Sequence, residues 1–399
     1  MTAKVSPYYK IESAPPPRRM ARGWHCLGPV TNFKDGKLHK VEAFGTQIVV
    51  WQTSDGALNA IDNYCPHMGA ALSEGRLEGD NIACPFHDWR WSGEGKCVEI
   101  PYARRVPPGA RVKQWPLLQR NKLLFVWHDP EDSLPTPDVE IPQIAGFDDD
   151  FSEWRDSVHR IKTNTRELID NLVDIAHFFY LHGDRVAGMC RFFANRFEKH
   201  TAWQIIEIGE RTGSGYDPFQ PGCDINLIGD SRSESCYHGP AVLVSNVMHR
   251  VPTLSGKDDL VDSYIFLCQV PVTPEEFDLH ILTSVRKRPD MTAEENFLRA
   301  EERCKWLTFG TLQDVHTWKT KTRIDNPILC DGDGPFHQLR RWYSQFFVDV
   351  ADIQPEMVEK FEKITDVSYS VPVWEKQQVE RLAELEAAGE LPIFRFKME

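Results

Sequence analysis

The chain has 399 residues, a net charge of −13, 41% hydrophobic and 26% charged residues, a size and composition that suit a soluble protein of two domains, each with its own core. The acidic balance argues against nucleic acid or an anionic membrane as the main partner, because both reward basic surfaces. No apolar run approaches the roughly 20 residues that span a bilayer, and the N-terminus lacks the apolar core of a secretion signal, so the expected compartment is the cytoplasm.

Residues 1–19, broken by Pro15, Pro16 and Pro17, read as a flexible arm. From Trp24 onward, β-type segments at 40–44, 47–52, 58–62 and 123–128 are separated by turn signals at Asp35-Gly36, Asp55-Gly56 and Glu78-Gly79-Asp80. They predict an all-β domain over 20–130. Inside it lie Cys65-Pro66-His67 and, further on, Cys84-Pro85-Phe86-His87. Each pair would sit at the tip of its own hairpin loop, with four ligand atoms converging on one inorganic centre.

Zinc is the rival occupant, but its sites usually group Cys with Cys and His with His. One Cys and one His from each loop suits a [2Fe–2S] cluster with thiolates on one iron and imidazoles on the other, the Rieske arrangement. Trp89 and Trp91 would shield such a cluster, or simply pack the core. The other cysteines (Cys26, Cys97, Cys190, Cys223, Cys236, Cys268, Cys304 and Cys330) show no repeating spacing and are expected as thiols.

Residues 131–150, opening with a proline-rich acidic stretch, read as a linker, and 151–370 as a second domain. Strand-like residues give way at about Thr165 to a helical pattern, with Leu168, Ile169, Leu172, Val173 and Ala176 on one face. That helix carries Asp174, His177 and His182. Asp174 and His177 share a face, but His177 and His182, five apart, diverge by about 140°. For both to hold one metal the helix must end or bulge between them.

Residues 195–290 are β-rich. A long helix is expected from Glu294 to about Thr322, stacking Leu307, Thr311, Asp314 and Trp318, and a last one over 375–388 stops at Gly389, within a 371–399 helix and tail. An acid on an otherwise apolar stripe needs a strong partner. Asp314 is therefore the expected third ligand of a two-His, one-carboxylate Fe(II) site, with Asp174 supporting His177 and Trp318 walling a substrate pocket.

These features resemble the Rieske non-haem iron oxygenases, and more narrowly their 3-ketosteroid 9α-hydroxylase branch. The likeness rests on Ala21-Arg-Gly-Trp-His-Cys-Leu-Gly28, Cys84-Pro-Phe-His-Asp-Trp-Arg-Trp91, Pro101-Tyr-Ala-Arg-Arg105 and Asp174-Ile-Ala-His-Phe-Phe-Tyr180. Lys321-Thr-Arg-Ile-Asp-Asn-Pro327 and Gln338-Leu-Arg-Arg-Trp-Tyr343 complete it. The resemblance implies an α+β architecture, an N-terminal all-β Rieske [2Fe-2S] domain followed by a helix-grip (START-like) catalytic domain. It implies Cys65, His67, Cys84 and His87 on the cluster, and His177, His182 and Asp314 on a mononuclear non-haem Fe(II). Asp174 would link His177 to His87 of the partner subunit in a homotrimer.

The implied reaction uses O2 and electrons from a separate NADH-dependent flavin or iron-sulfur reductase to hydroxylate a hydrophobic, steroid-like substrate. Two alternatives stay open on sequence grounds. One is a Rieske oxygenase for another ring substrate: an aromatic hydroxylase, an O-demethylase or a sterol desaturase. The other is an electron carrier fused to a ligand-binding domain.

Overall fold

A computed structural model describes residues 8–182, 190–209, 219, 231–252 and 258–388. Cys223, the first seven residues of the arm, the Gly389 stop and the rest of the C-terminal tail lie outside the described residues. The N-terminal domain holds ten short strands: β1 (Gly23–Pro29), β2 (His39–Ala43), β3 (Thr46–Gln52), β4 (Leu58–Asp62), β5 (Arg76–Glu78), β6 (Asn81–Ala83), β7 (Arg90–Trp91), β8 (Cys97–Glu99), β9 (Leu117–Arg120) and β10 (Leu123–His128). They form three antiparallel sheets, β1-β10-β9, β2-β3-β4 and β5-β6-β7-β8. Ile48 and Val50 alternate inward on β3 against Trp115, Leu124 and Val126, as period-two patterning requires. The β5–β8 sheet packs through Ile82, Trp91 and Cys97 beneath Cys65 and Cys84.

The second domain begins with a short α1 (Phe147–Asp150) and β11 (Arg155–Ile161), followed by the short helical turns α2 (Arg166–Ile169) and α3 (Ala176–Tyr180). Six strands follow, β12 (Cys190–Glu198), β13 (Thr201–Ile208), β14 (Ser231–His238), β15 (Val242–Pro252), β16 (Asp258–Thr273) and β17 (Glu276–Val285). Next come α4 (Ala293–Thr320), α5 (Phe336–Ser344), α6 (Pro355–Val358), β18 (Phe361–Ile364) and α7 (Ser370–Ala387).

One antiparallel sheet of eight strands, ordered β11-β17-β16-β15-β14-β13-β12-β18, faces α4. That helix has 28 residues and starts with a capping box, in which Thr292 and Glu295 satisfy each other's backbone N–H groups. Val315 and Trp318 on α4 bury against Ile161, Phe277, Leu279 and Ile281 of the sheet.

Four expectations are corrected. The arm is not free along its whole length: Glu12 N donates to Asn326 Oδ1 (2.9 Å), and Ala14 N to Asp325 Oδ2 (2.6 Å). The expected linker is packed, with Val139, Ile141, Ile144 and Phe147 buried between Trp24, Phe125 and Trp127 of the first domain and Val242, Phe266 and Leu282 of the second. Prolines and acids there masked an apolar seam.

The last helix starts at Ser370 rather than 375, because Val371 and Trp374 dock on Phe193 and Ile206, and Pro372 sits harmlessly in the first turn. Finally, the helix expected from Thr165 through His182 is broken. Asp174 adopts extended backbone between two short turns. The carbonyl of Leu172, which a continuous helix would use internally, instead accepts from Asn195 Nδ2 (2.9 Å) and Gln204 Nε2 (2.8 Å).

Candidate functional site

The cysteine–histidine loops are built to one plan. Cys65 N donates to Ala70 O and Gly69 N to Cys65 O, at 2.9 and 2.8 Å. Cys84 N donates to Trp89 O and Asp88 N to Cys84 O, at 2.9 and 3.0 Å. Both loops therefore need a left-handed residue four places after the cysteine; the first uses Gly69 (φ 81°) and the second Asp88 (φ 57°). Arg76, 2.6 Å from Asp88, helps hold that less common conformation. The need for a turn at Asp88 was hidden in the sequence, where no glycine marks it.

Both thiols are buried, whereas the imidazoles of His67 and His87 meet edge-to-face with centroids 4.6 Å apart at the half-buried tips. Burial, with Cys84 close by, pushes the Cys65 thiol up to about 11. His87 Nδ1 is buried with no hydrogen-bond partner among the described residues. Two adjacent free thiols and an orphaned imidazole nitrogen fit a bound cluster better than a packed core. Trp89 stacks on His67 at 4.5 Å and donates to Tyr102 Oη (2.8 Å), and Trp91 is wholly buried beneath.

The second site starts from the clamped turns of the broken helix. Arg340 grips Asp170 with two nitrogens (3.0 and 2.6 Å), while buried Glu167 is held by Arg166 (3.1 Å) and Lys321 (2.9 Å). These contacts explain the two C-terminal basic motifs: they anchor the backbone leading to the histidines. Beyond the break, Leu181 N and His182 N both donate to His177 O, at 2.8 and 3.3 Å. The second bond spans five residues, a π-type turn that brings His182 back toward His177.

One ligand atom each from His177, His182 and Asp314 lie within 4.8 Å of one another. His182 Nε2 is 3.3 Å and His177 Nε2 3.9 Å from the Asp314 carboxylate. Asp174 accepts from His177 N (3.2 Å) and lies 3.7 Å from its Nδ1. Burial opposes ionisation of Asp174, but the His177 side chain and backbone N–H groups outweigh it and hold the pKa below the ordinary value.

Two residues escaped the sequence reading. Gln313 Oε1 lies 3.0 Å from His182 Nδ1, accepting a hydrogen bond from its N–H and leaving Nε2 as the lone-pair nitrogen facing Asp314. Asn171 donates to Asp314 Oδ1 (3.1 Å) and accepts from Trp318 Nε1 (3.4 Å), tying acid and indole together. Neither residue type carries a local signal that separates this role from solvent contact.

The three groups lie on the wall of a cavity of about 220 Å³ between α4 and the sheet. Its lining is mainly apolar and includes Phe178, Leu243, Ile265, Leu267, Trp306 and Trp318. A polar strip, Ser231, Ser233 and Ser235 at alternate positions of β14 with Ser245 of β15, crosses the sheet side. Such a chamber can exclude water from a bound ion and hold a rigid hydrophobic molecule beside it.

Two family models match. The Rieske [2Fe-2S] domain covers residues 23–116, and the 3-ketosteroid 9alpha-hydroxylase C-terminal domain covers residues 126–347. A Rhodococcus rhodochrous protein named 3-ketosteroid-9-alpha-monooxygenase, oxygenase component, is 44% identical over 380 residues, spanning 94% of this chain and 93% of that one. A Mycobacterium tuberculosis protein of the same name is 41% identical over 391 residues, 96% of each chain. Among solved structures, a Pseudomonas putida NdmA variant with theobromine superposes with a TM-score of 0.64 at 15% identity, covering 86% of this chain and 96% of that one. That likeness concerns the fold.

Proposed function

Because the chain belongs to the 3-ketosteroid 9α-hydroxylase family of Rieske oxygenases, we propose that it hydroxylates a 3-ketosteroid, or a closely related steroid, at the 9α carbon. It is an oxygenase component, with a Rieske [2Fe–2S] domain and a separate reductase as its electron source. Among the described residues no helix is long and apolar enough to cross a membrane.

The finer assignment is that Cys65, His67, Cys84 and His87 hold the cluster and that His177, His182 and Asp314 hold a mononuclear iron. The observation that carries it is the convergence of those three side chains on the wall of a mainly apolar cavity. It favours an oxygenase over an electron carrier fused to a binding domain, which has no use for a second ion site. When bound, the cluster supplies electrons singly and the iron activates dioxygen for insertion into a C–H bond.

The chain's own groups prepare that chemistry. Gln313 fixes the tautomer of His182, and Asn171 orients Asp314. Trp318 and the leucines of the cavity keep water from the site and present a flat apolar wall to the substrate rings. Asp174, half-buried and 3.7 Å from His177 Nδ1, would carry a hydrogen-bonded link outward to the cluster of a neighbouring copy in a homotrimer. NADH is the expected ultimate donor.

The test combines metal analysis with product analysis. Wild-type protein should contain three irons per chain and His177→Ala two, with the Rieske spectrum unchanged. With reductase, NADH and a 3-ketosteroid, mass spectrometry should find a singly oxygenated 9α product. Two irons in well-loaded wild type, or oxygenation at another carbon, would overturn the assignment.

A further inference from the structure

His249 lines the cavity from β15, at the end remote from the proposed iron, and the two walls agree on the distance. Asn171 donates to Asp314, Gln204 Nε2 donates to Asn171 O (3.3 Å), and Gln204 pairs with Ser235, which faces Ser245 on the next strand. That row marks the iron end. Four residues along, Ser231 faces His249, on the same side of the sheet because successive side chains alternate. At about 3.4 Å per residue the two rows are roughly 14 Å apart. On the opposite wall Trp306 precedes Asp314 on α4 by eight residues, roughly 12 Å at about 1.5 Å each. Trp306 stacks on His249 with ring centres 6.0 Å apart, and it too lines the cavity.

Polar groups elsewhere on the lining are already engaged. Besides Asn171 and Gln204, Thr311 Oγ1 donates to Leu307 O (3.3 Å) and Ser231 Oγ to Met248 O (3.0 Å), while Ser235 and Ser245 bond to each other (2.7 Å). His249 differs. Among the described residues its ring nitrogens make no hydrogen bond, and neither is enclosed as Nδ1 of His87 and of His177 are, so the half-buried imidazole is accessible where it lines the cavity. Its orientation is nevertheless held: Trp306 lies against it, and the Arg303 guanidinium packs 4.3 Å from the centre of the indole. Burial, reinforced by the charge of Arg303, lowers His249 to about 4, so near pH 7 the ring is neutral, with one nitrogen a donor and the other an acceptor. An oriented N–H facing a mainly apolar chamber is costly until a ligand supplies its acceptor.

We infer that His249 hydrogen-bonds a neutral oxygen, a ketone or a hydroxyl, on a terminal ring of the steroid and so determines which ring substituents are accepted. The inference rests on the steroid reading above and deepens it. The 9α carbon belongs to the inner rings of the four-ring skeleton. With that carbon at the iron end, one terminal ring extends along the cavity toward Trp306 and His249. A neutral imidazole rewards an oxygen at that point and needs no anion. It discriminates against a bare methylene there, which would leave the N–H without a partner in an apolar chamber. Oxygens on ring A and on ring D present the same chemistry, and the experiment separates them.

The experiment uses two pairs of steroids, a 3,17-diketone against its 17-deoxo analogue and the same diketone against its 3-deoxo analogue. Each is measured by equilibrium dialysis and by kcat/KM with reductase, in wild type, His249→Phe and His249→Gln. In one of the two pairs wild type should favour the diketone by about three- to tenfold, the worth of a neutral hydrogen bond, and that pair identifies the ring facing His249. His249→Phe keeps a flat ring against Trp306 and should lose this preference while still holding the deoxo analogue; His249→Gln, which restores a donor, should recover part of it. Retention of both preferences in His249→Phe, or an equal loss of diketone and analogue, would overturn the inference, the second result marking His249 as scaffold alone. A preference abolished in His249→Phe without hydroxylation by wild type would support His249 as the contact while overturning the steroid-hydroxylase assignment.

Discussion

Gln313 offers the sharpest test of how the site is prepared. Its Oε1 is 3.0 Å from Nδ1 of His182, a residue only 8% exposed, so this contact decides which ring nitrogen carries the proton. Replacing Gln313 with Leu keeps the approximate volume and removes the acceptor. Leaving a buried N–H without it costs about 1–3 kcal/mol, and the cost falls on the tautomer that presents Nε2 to the ion. At 1.4 kcal/mol per tenfold, iron affinity should drop roughly 5- to 150-fold.

The assay titrates Fe(II) into protein whose cluster is intact, following the third iron by metal analysis and the cluster by its visible spectrum. Gln313→Glu, which restores an acceptor, should recover the affinity. Unchanged third-iron affinity in Gln313→Leu, with the cluster retained, would show that the tautomer is set elsewhere and refute the argument.

Asp174→Asn should leave iron content intact yet slow reductase-driven turnover about ten- to hundredfold, the usual range for a group acting behind a ligand; equal turnover of mutant and wild type would remove Asp174 from the electron route. Gly334→Ala would place a Cβ 1.8 Å from the Val173 carbonyl, just before the break at Asp174, so the thermal midpoint should fall by the equivalent of about 1–3 kcal/mol. Stability should also drop on acidification. Burial lowers His25 to about 4 and, helped by the charge of His25, His128 to about 3, both from 6.5. Unfolded chains then take up protons that the native state refuses. Each histidine removes up to about 1.4 kcal/mol per pH unit as pH falls from about 6.5 to its folded value, with no effect above pH 7. His128→Gln, compared with wild type by urea midpoints at pH 7 and 5, should shrink the loss.

What could be read in advance was what is local. Each cysteine–histidine loop is specified within six residues, so its chemistry was visible in the residue order alone. Asp314 stood out because an acid interrupts an apolar helical stripe. The five-residue step from His177 to His182 required a bulge or an end, and the structure supplies a π-type turn.

The break at Asp174 had no such signal. The groups that divert the chain there, Asn195, Gln204 and Arg340, lie 21 to 166 residues away in sequence, and apolar periodicity cannot register them. The packed seam at 139–147 was missed for a similar reason: prolines and acids dominate its composition while four apolar side chains carry its burial. Gln313 and Asn171 are polar residues on mixed faces, and only their neighbours reveal their purpose.

The wide turn ending at His182 has an evolutionary corollary. Adding or removing one residue between the two histidines would swing one imidazole by about 100° and separate it from Asp314. Changes beyond either end of α4 leave the register of its carboxylate untouched. Insertions that diversify this lineage are therefore expected outside 177–182, a spacing that behaves as a fixed gauge.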